Sequence, residues 1–394
     1  MQFDFNISIT EIILLALCFI AMLVLVLFYR WCIERVARRV VQCRQGNSDL
    51  INCPPLSVIV YDRDSVRNLA AMLPRLLEQN YPEKYEIIVV TDGRSENIED
   101  VVKKLAVDHR NLRFTYVPDE AHYISRKKLA ITLGIKAAKY DYVLLTDADI
   151  VVPSDSWLRN MCRHFTLGKN VVIGFARPFE KTPTKGKNKF AWFDVLIENI
   201  SSLTAAIAGR VYRGNVVNLA FKKQLFYDKK GFSDSLSFHH GEDDIFVCNL
   251  VDKEQSAVEL SPDAQVDHIC YDFKSQHNLR KLNRVFTGKY VSHTYRRLFG
   301  LCSAMMWLWL LASIAVLIVS LPNLFPLAVI LILGLAWILP VVFAIKKTAS
   351  SLMLLFSGWL TPICLFVHPF YNLYYKFKAT RHKSKNYTWS KPLK

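Results

Sequence analysis

Long apolar stretches flank a more polar middle region of the chain, and they lie at 12–29, 298–321, 326–345 and 352–375. The first, Ile12–Tyr29, has 18 residues without a charge or an amide, which is long enough to cross a bilayer. The second and third are separated only by the short Pro322-Asn323 turn. This pattern predicts an N-terminal transmembrane anchor and a C-terminal transmembrane hairpin.

The fourth stretch, 352–375, contains one glycine and two prolines and is followed by the strongly basic segment 376–394. If 352–375 crossed the membrane as a simple span, that basic segment would lie outside, against the positive-inside rule. We therefore predict a re-entrant or interfacial segment in preference to a third C-terminal span. The same rule places residue 30 onward in the cytosol of a bacterial-type inner membrane, because arginines follow the first stretch and acids precede it.

Between these stretches, short runs rich in Val and Ile alternate with helical patterns. The strand-like runs are 56–60, 86–90, 113–117 and 142–146, and the helical patterns are 65–79, 96–108 and 125–138. Alternation of this kind predicts an α/β domain with a mainly parallel sheet, and such sheets bind ligands at the carboxyl ends of their strands. The predicted organisation is an anchor at 1–30, a basic linker at 31–53, an α/β domain at 54–297, a membrane region at 298–375 and a basic cytosolic tail at 376–394.

The formal net charge of +16 does not indicate nucleic-acid binding, because much of the basic excess lies beside apolar stretches. Five arginines lie in 30–44, seven Lys or Arg in 274–297 and seven in 376–394. Juxtamembrane cations of this kind are attracted to anionic lipid. The nine cysteines include no C-x-x-C pair, which argues against a disulfide framework and against a zinc site.

Carboxylates follow two of the predicted strands. Asp92 follows the second strand, and Asp147 and Asp149 follow the fourth. Two aspartates separated by one residue can share Mg²⁺ or Mn²⁺, which prefer oxygen ligands and are often completed by substrate phosphates. The alternative is that these aspartates only cap a helix or close a turn.

A third acidic group is Glu242-Asp243-Asp244, which opens a helical pattern. One of the three could act as a general base for an acceptor hydroxyl. The alternative is a favourable interaction of carboxylates with the N-terminus of a helix.

For His239, His240 and His268 we favour ordinary structural roles. The helical pattern 188–208 fits either an interfacial or a core helix.

Four segments in order, at 54–93, 126–150, 214–226 and 241–246, resemble the motifs of family 2 glycosyltransferases with the GT-A fold. The resemblance covers about residues 54–290. It implies a Rossmann-like GT-A catalytic domain with N-terminal and C-terminal transmembrane helices. It also implies Mn²⁺ or Mg²⁺ as cofactor, and a nucleotide-sugar donor that the family suggests is UDP-linked.

The resemblance also implies roles for individual residues. Donor-binding roles fall on Asp92, Asp147, Lys128, Arg63, Arg280 and Lys281, metal-binding roles on Asp149 and Asp147, and the general base on Asp243, with Asp244 and Glu242 as alternatives. The segment 275–284 matches the Q-x-x-R-W signature of processive members only in part. The spacing from Gln276 to Arg280 differs and no Trp follows, which argues against processive polymerisation.

The sequence thus predicts an inverting, metal-dependent glycosyltransferase that is embedded in the membrane. Its acceptor would be a lipid-linked or nascent surface glycan, since a membrane beside the site raises the local concentration of such an acceptor. One alternative is a processive polysaccharide synthase, which would need an oligomer or a synthase-complex partner to build a channel. Another is a non-catalytic subunit that binds nucleotide-sugar and serves as a scaffold.

Overall fold

The computed structural model of the protein describes residues 7–45, 52–119, 125–180, 188–321, 323–354, 356, 358–381 and 387–388. Pro322, part of the predicted linker 31–53 and most of the predicted basic tail lie outside the described residues. The predicted domain boundaries stay predictions.

The described helices range from four residues in the shortest to 28 residues in the longest. They are α1 Ile9–Phe28, α2 Glu34–Gln45, α3 Val66–Leu77, α4 Glu96–Ala106, α5 Arg126–Ala137, α6 Trp157–Thr166, α7 Lys189–Ile207, α8 Lys223–Asp228, α9 Val247–Leu250, α10 Phe273–Thr287, α11 Thr294–Val319, α12 Leu324–Ser351 and α13 Thr361–Arg381. A π-helical turn, Tyr29–Ile33, joins α1 to α2 without a break, and a second, Glu242–Phe246, leads into α9.

The strands form two sheets. They are β1 Leu56–Asp62, β2 Tyr85–Thr91, β3 Leu112–Tyr116, β4 Tyr142–Asp147, β5 Ile150–Val151, β6 Val171–Ile173, β7 Ala176–Glu180, β8 Leu219–Lys222, β9 Ser256–Val258 and β10 Val266–Cys270. The larger sheet has the order β3-β2-β1-β4-β8-β6-β9, and the smaller has the order β5-β10-β7. Strands β3, β2, β1 and β4 are mutually parallel, and β8 pairs antiparallel with β4 and β6. The prediction of an α/β fold with a mainly parallel sheet is confirmed.

The parallel strands β1, β2 and β4 are buried along most of their length, as is typical of parallel sheets with both faces covered. The centre of β1, Val58–Val60, is at most 1% exposed, and the core includes Leu69 and Leu73 of α3. Helix α5 lies very close to β1. A Cβ atom on Gly134 would come within 2.4 Å of the Ile59 side chain, so glycine permits this approach.

The chain divides into two compact units. One comprises Arg39–Lys187, Ala205–Ser292 and Tyr375–Lys394 and contains both sheets. The other comprises Met1–Arg38, Asn188–Thr204 and His293–Tyr374, and within it α1 packs against α11 and α12.

Four helical stretches are long and apolar enough to cross a membrane: Ile9–Gln45, Lys189–Ile207, Thr294–Val319 and Leu324–Ser351. Three of them contain the predicted anchor and hairpin. The fourth is α7, of which 61% of the most apolar window is buried inside the protein, against 28–33% in the others. This burial favours the core-packing alternative for α7. The stretch 352–375 is not continuous, because α13 begins only at Thr361.

Candidate active site

Three of the predicted acids lie at one edge of the larger sheet, where neighbouring parallel strands end. Asp147, the last residue of β4, pairs with Tyr61 of β1. Asp92 follows β2, and its N–H donates to the carbonyl of Asp62 at 3.0 Å. Asp149 lies two residues beyond β4. The fold therefore brings the acids together at the carboxyl edge, as the sequence predicted.

Asp92 is held by an arginine that the sequence analysis did not single out. Nε of Arg126, the first residue of α5, donates to Oδ1 of Asp92 at 2.6 Å. Nε of Arg63 lies 3.9 Å from Oδ2, but this side chain is 85% exposed. Because exposed pairs contribute little, Arg126 sets the orientation of Asp92.

The two lysines that follow Arg126 have different surroundings. Nζ of Lys127 donates to Oδ2 of Asp147 at 2.7 Å. Lys128, for which the resemblance implied a donor contact, is 1% exposed. Its ammonium group instead donates to three carbonyl oxygens, those of Ser235, Phe238 and His240. Burial lowers the pKa of Lys128 to about 8. These bonds hold the segment just before Gly241, and the donor contact implied for Lys128 stays a prediction.

A cavity of about 240 Å³ lies between Asp149 and the Glu242-Asp243-Asp244 segment. Its wall consists of Asp149, His240, Gly241, Glu242, Asp243, Asp244, His268, Ile269, Gln276, Leu279, Arg280, Asn283, Arg284 and Thr287. Carboxylates form one part of this wall and the cations of α10 another. Such a cavity suits a ligand that carries both an ionisable hydroxyl and an anionic group.

The three acids of the 242–244 segment are not equivalent. Asp244 is 5% exposed, and its Oδ2 accepts from the Thr287 hydroxyl at 2.7 Å. Asp243 is partly exposed, and its Oδ1 accepts from the Val216 N–H at 3.0 Å. A Cβ on Gly214 would lie 2.5 Å from the Asp243 carbonyl, so this glycine allows the two loops to meet. Of the three acids, only Asp243 is part-exposed.

Glu242 is buried beside Asp243. Burial, together with the nearby Asp243 carboxylate, raises the pKa of Glu242 to about 7. Its Oε2 is buried without a hydrogen-bond partner among the described residues. The carboxyl group of Glu242 therefore changes its protonation state near pH 7.

Helix α10 contributes cations to the cavity. Arg280 and Arg284 belong to its wall, whereas Lys281 is 4% exposed. Of the two predicted donor-binding cations on α10, Arg280 thus has access to a ligand and Lys281 has a buried position. Arg284 was not singled out in the sequence, although it follows Arg280 by four residues and so shares its helix face.

Two histidines also line the cavity, His240 and His268. Burial lowers the pKa of both, which favours their neutral form. Their positions could not be read from the sequence, where we favoured structural roles for them.

Residues 57–234 match the family model described as glycosyl transferase family 2. Chondroitin synthase of Escherichia coli is 24% identical over 223 residues, which cover 50% of this chain and 32% of that protein. Poly-beta-1,6-N-acetyl-D-glucosamine synthase of Staphylococcus epidermidis is 30% identical over 187 residues, covering 47% of this chain and 41% of that protein. Residues 57–234 form a family 2 glycosyltransferase domain.

The match leaves part of the site and of the relatives uncovered. The matched range of the glycosyltransferase domain ends before the 242–244 segment and α10. The chain spans between a third and about two fifths of the length of these two relatives. A solved mannosyltransferase from Pyrobaculum calidifontis, in complex with GDP-Man and Mn²⁺, aligns with a TM-score of 0.47 at 16% identity, over 85% of this chain and 99% of that one. A likeness of this degree carries no information about individual residues.

The carboxylates at the cavity fit a hard cation with few protein ligands. Among the described residues, no three His, Cys, Asp or Glu side chains are grouped so as to hold a metal ion by themselves. Asp149 and Glu242 both line the cavity and both offer oxygen ligands. Mg²⁺ and Mn²⁺ often take only one or two carboxylates and complete their shell with water and substrate phosphates. The site fits such a cation when it arrives with a diphosphate.

Proposed function

We propose that this glycosyltransferase domain is an inverting, metal-dependent enzyme that takes its sugar from a nucleoside diphosphate sugar, of which UDP-linked sugars are the first choice. The acceptor is a hydroxyl group of a lipid-linked or nascent surface glycan. The observation that carries this proposal is the shared cavity of Asp149, Asp243 and Arg280. It joins a candidate cation ligand, a part-exposed base and a cation for a leaving group.

In the proposed reaction, Asp243 takes the proton of the acceptor hydroxyl. The hydroxyl oxygen attacks the anomeric carbon of the donor sugar and forms the new glycosidic bond. The bond from that carbon to the phosphate oxygen breaks, its electron pair stays on the phosphate, and the nucleoside diphosphate leaves. Attack from the face opposite the leaving group inverts the anomeric centre. Val216 and Gly214 support Asp243 in this role, because they fix the loop on which its carboxylate rests.

Three kinds of group hold the donor in this proposal. Asp92, oriented by Arg126, contacts the nucleoside, and Asp147 contacts the ribose side. Arg280 and Arg284 neutralise the departing diphosphate by preorganised charge. A Mg²⁺ or Mn²⁺ ion held by Asp149 would supply further charge neutralisation at the diphosphate when bound.

We also propose that the domain lies on the cytosolic side of a bacterial inner membrane in a multi-pass protein. Three stretches support spanning: Ile9–Gln45, α11 and α12, whose apolar windows are largely unburied. The positive-inside rule supports the orientation, since basic residues follow the first stretch.

The proposal is tested by release of nucleoside diphosphate from UDP-, GDP- and dTDP-sugars. The detergent-purified chain is supplied with Mn²⁺ or Mg²⁺ and membrane lipid extract, beside an Asp149→Ala control. Donor-selective release that requires both the cation and Asp149 supports the enzyme. Donor binding without release, even with lipid extract, would instead favour a non-catalytic scaffold.

A processive polysaccharide synthase is the second candidate, because the relatives named above are synthases of polysaccharides. The size of the product on a sizing gel distinguishes a transferase that adds one sugar from a processive synthase. A single added sugar supports the transferase, and a ladder or a high-molecular-weight product supports the polymerase. In that case a partner or an oligomer would contribute to the passage of the polymer.

A further inference from the structure

Asn68 makes a side-chain contact with Asp149 that neither the motifs nor the proposed reaction uses. Its Nδ2 donates to Oδ1 of Asp149 at 2.6 Å and also donates to the phenol oxygen of Tyr271. Asn68 is 6% exposed and lies in the first turn of α3. Because an ionised carboxylate only accepts hydrogen bonds, the amide nitrogen, and not its oxygen, must face Asp149.

The usual function of an asparagine near a helix start is to cap the helix, but the N-cap position of α3 belongs to Ser65, and no side chain caps this helix. Oδ1 of Asp62 accepts from the Ser65 N–H at 2.7 Å and from the Asp64 N–H at 3.2 Å. The Asn68 backbone N–H donates to the Ser65 carbonyl at 2.9 Å. The Asn68 side chain is thereby left to act on Asp149.

Asp149 is held from two sides. The N–H of Ile269, in β10, donates to the Asp149 carbonyl at 2.8 Å and fixes its backbone. Asn68 fixes its side chain. Since Asn68 uses only one carboxylate oxygen, the other can serve a ligand in the cavity that Asp149 lines.

The partner of Asp149 differs in charge from the partner of Asp147. Asp147 is paired with the ammonium group of Lys127, which would repel a bound cation. Asp149 is paired with a neutral amide, which orients the carboxylate without opposing a cation. Hydrogen bonds that orient a metal-binding side chain raise its affinity for the metal.

We propose that Asn68 is a positioning residue that orients Asp149 toward a divalent cation, and that Tyr271 in turn fixes the amide of Asn68. This inference rests on the cation site of the proposed function.

The test measures Mn²⁺ binding to the detergent-purified full chain in the presence of UDP, by the loss of the free Mn²⁺ electron paramagnetic resonance signal. We expect Asn68→Ala to weaken Mn²⁺ binding by about 10- to 100-fold, and Tyr271→Phe to weaken it by a smaller factor. Tyr271 is 54% exposed, so Tyr271→Phe provides a variant with little risk to folding. Asn111→Ala is the matched control, because Asn111 donates to the Tyr85 carbonyl at the other end of the strands.

UDP binding without Mn²⁺ serves as the second readout, since a merely structural change in Asn68→Ala would weaken it as well. Weaker Mn²⁺ binding with unchanged UDP binding supports the proposal. Wild-type Mn²⁺ affinity in Asn68→Ala, while Asp149→Ala has lost binding, overturns the positioning role alone. If Asp149→Ala binds Mn²⁺ as tightly as the wild type, both the cation site of the proposed function and this inference are wrong.

Discussion

The ammonium nitrogen of Lys127 lies 2.7 Å from a carboxylate oxygen of Asp147, and both side chains are largely buried. The same ammonium group also acts electrostatically on Glu242 and Asp243. A single lysine therefore balances carboxylates from the end of β4 and from the 242–244 segment. The protonation of these carboxylates therefore depends on the positive charge of Lys127.

The buried carboxyl of Glu242 should give the enzyme a pH-dependent rate. Burial and the Asp243 carboxylate raise the pKa of Glu242 to about 7, so Glu242 is neutral below that pH and charged above it. Its negative charge makes the neighbouring Asp243 a stronger base, so we expect kcat/KM to rise through about pH 7. Glu242→Gln should remove this rise, as measured by nucleoside diphosphate release from pH 5.5 to 8.5. An unchanged profile in Glu242→Gln would assign the rise to another group.

Replacing Lys127 by methionine should move that rise to higher pH. The cation lowers the pKa of Glu242, and its removal therefore raises it. For a nearby charge the shift is about 1 pH unit. Lys136→Met is the matched control, because Lys136 lies exposed on the same helix. A shift equal to that of the control would show that Lys127 does not lower the pKa of Glu242.

Asp243→Asn and Asp244→Asn should separate catalysis from structure. Asp243 is part-exposed at the cavity, so Asp243→Asn should keep donor binding and lower turnover by about 10²- to 10⁴-fold. Asp244 is buried against Thr287, so Asp244→Asn should chiefly lower the thermal unfolding midpoint. Donor binding by calorimetry and product release by a coupled assay provide the two readouts. Full turnover in Asp243→Asn would move the base to Glu242 or Asp244.

The sequence was sufficient to predict the four parallel strands β1 to β4 and the sheet edge at which the acids lie, because both follow from local patterns. Short apolar runs that alternate with helical patterns predict the parallel strands β1 to β4. The topology of a parallel sheet then determines that the carboxyl ends of these strands lie at one edge. The contacts made by Lys127 and Lys128 could not be predicted this way. Two adjacent helical residues point in directions about 100° apart, so their partners depend on how α5 is rotated about its axis against β1.

Contacts between residues distant in sequence could likewise not be predicted. The side chain of Asn68 contacts that of Asp149, which is 81 residues further along the chain. Phe238 forms an isolated β-bridge with Thr388, which is also distant in sequence. No periodicity encodes either pairing. The acids themselves were found because two carboxylates at one strand end are conspicuous, whereas a single asparagine at a helix start looks like an ordinary cap.

Lys128→Met should slow turnover by loosening the segment that precedes the base. Lys128 donates to three carbonyl oxygens, those of Ser235, Phe238 and His240. A methionine of similar length fills the space but leaves these carbonyls without the donor, so Asp243 loses its fixed position. Misplacement by about 1 Å can lower the rate by about 10²-fold. We expect kcat to fall with little change in the KM for the donor, and Lys136→Met to be neutral.

The buried Glu259 should stabilise the sheet unit above acidic pH. It is fully buried, and its carboxylate accepts from Arg163 and His164 at 2.7 Å each and from the Ser261 N–H at 2.7 Å. Arg163 also donates to the Cys43 carbonyl, so the network ties α2 to the edge of the sheet. Although burial alone would raise the pKa of Glu259, the bond from His164 and the charge of Arg163 lower it to about 2.

Because this pKa lies below the ordinary value of 4.5, the contribution of Glu259 to stability is complete above pH 4.5 and is lost as the pH falls toward 2. Glu259→Gln removes the Glu259 charge that pairs with the buried Arg163, and breaking such a buried ion pair costs about 3–5 kcal/mol. We expect a clearly lower thermal unfolding midpoint in detergent at pH 7, and a smaller difference from the wild type as the pH falls below 4.5. Glu254→Gln is the exposed control and should melt like the wild type. If Glu259→Gln melts like that control at pH 7, the network does not hold α2 to the sheet, and the stability of this edge comes from its apolar packing instead.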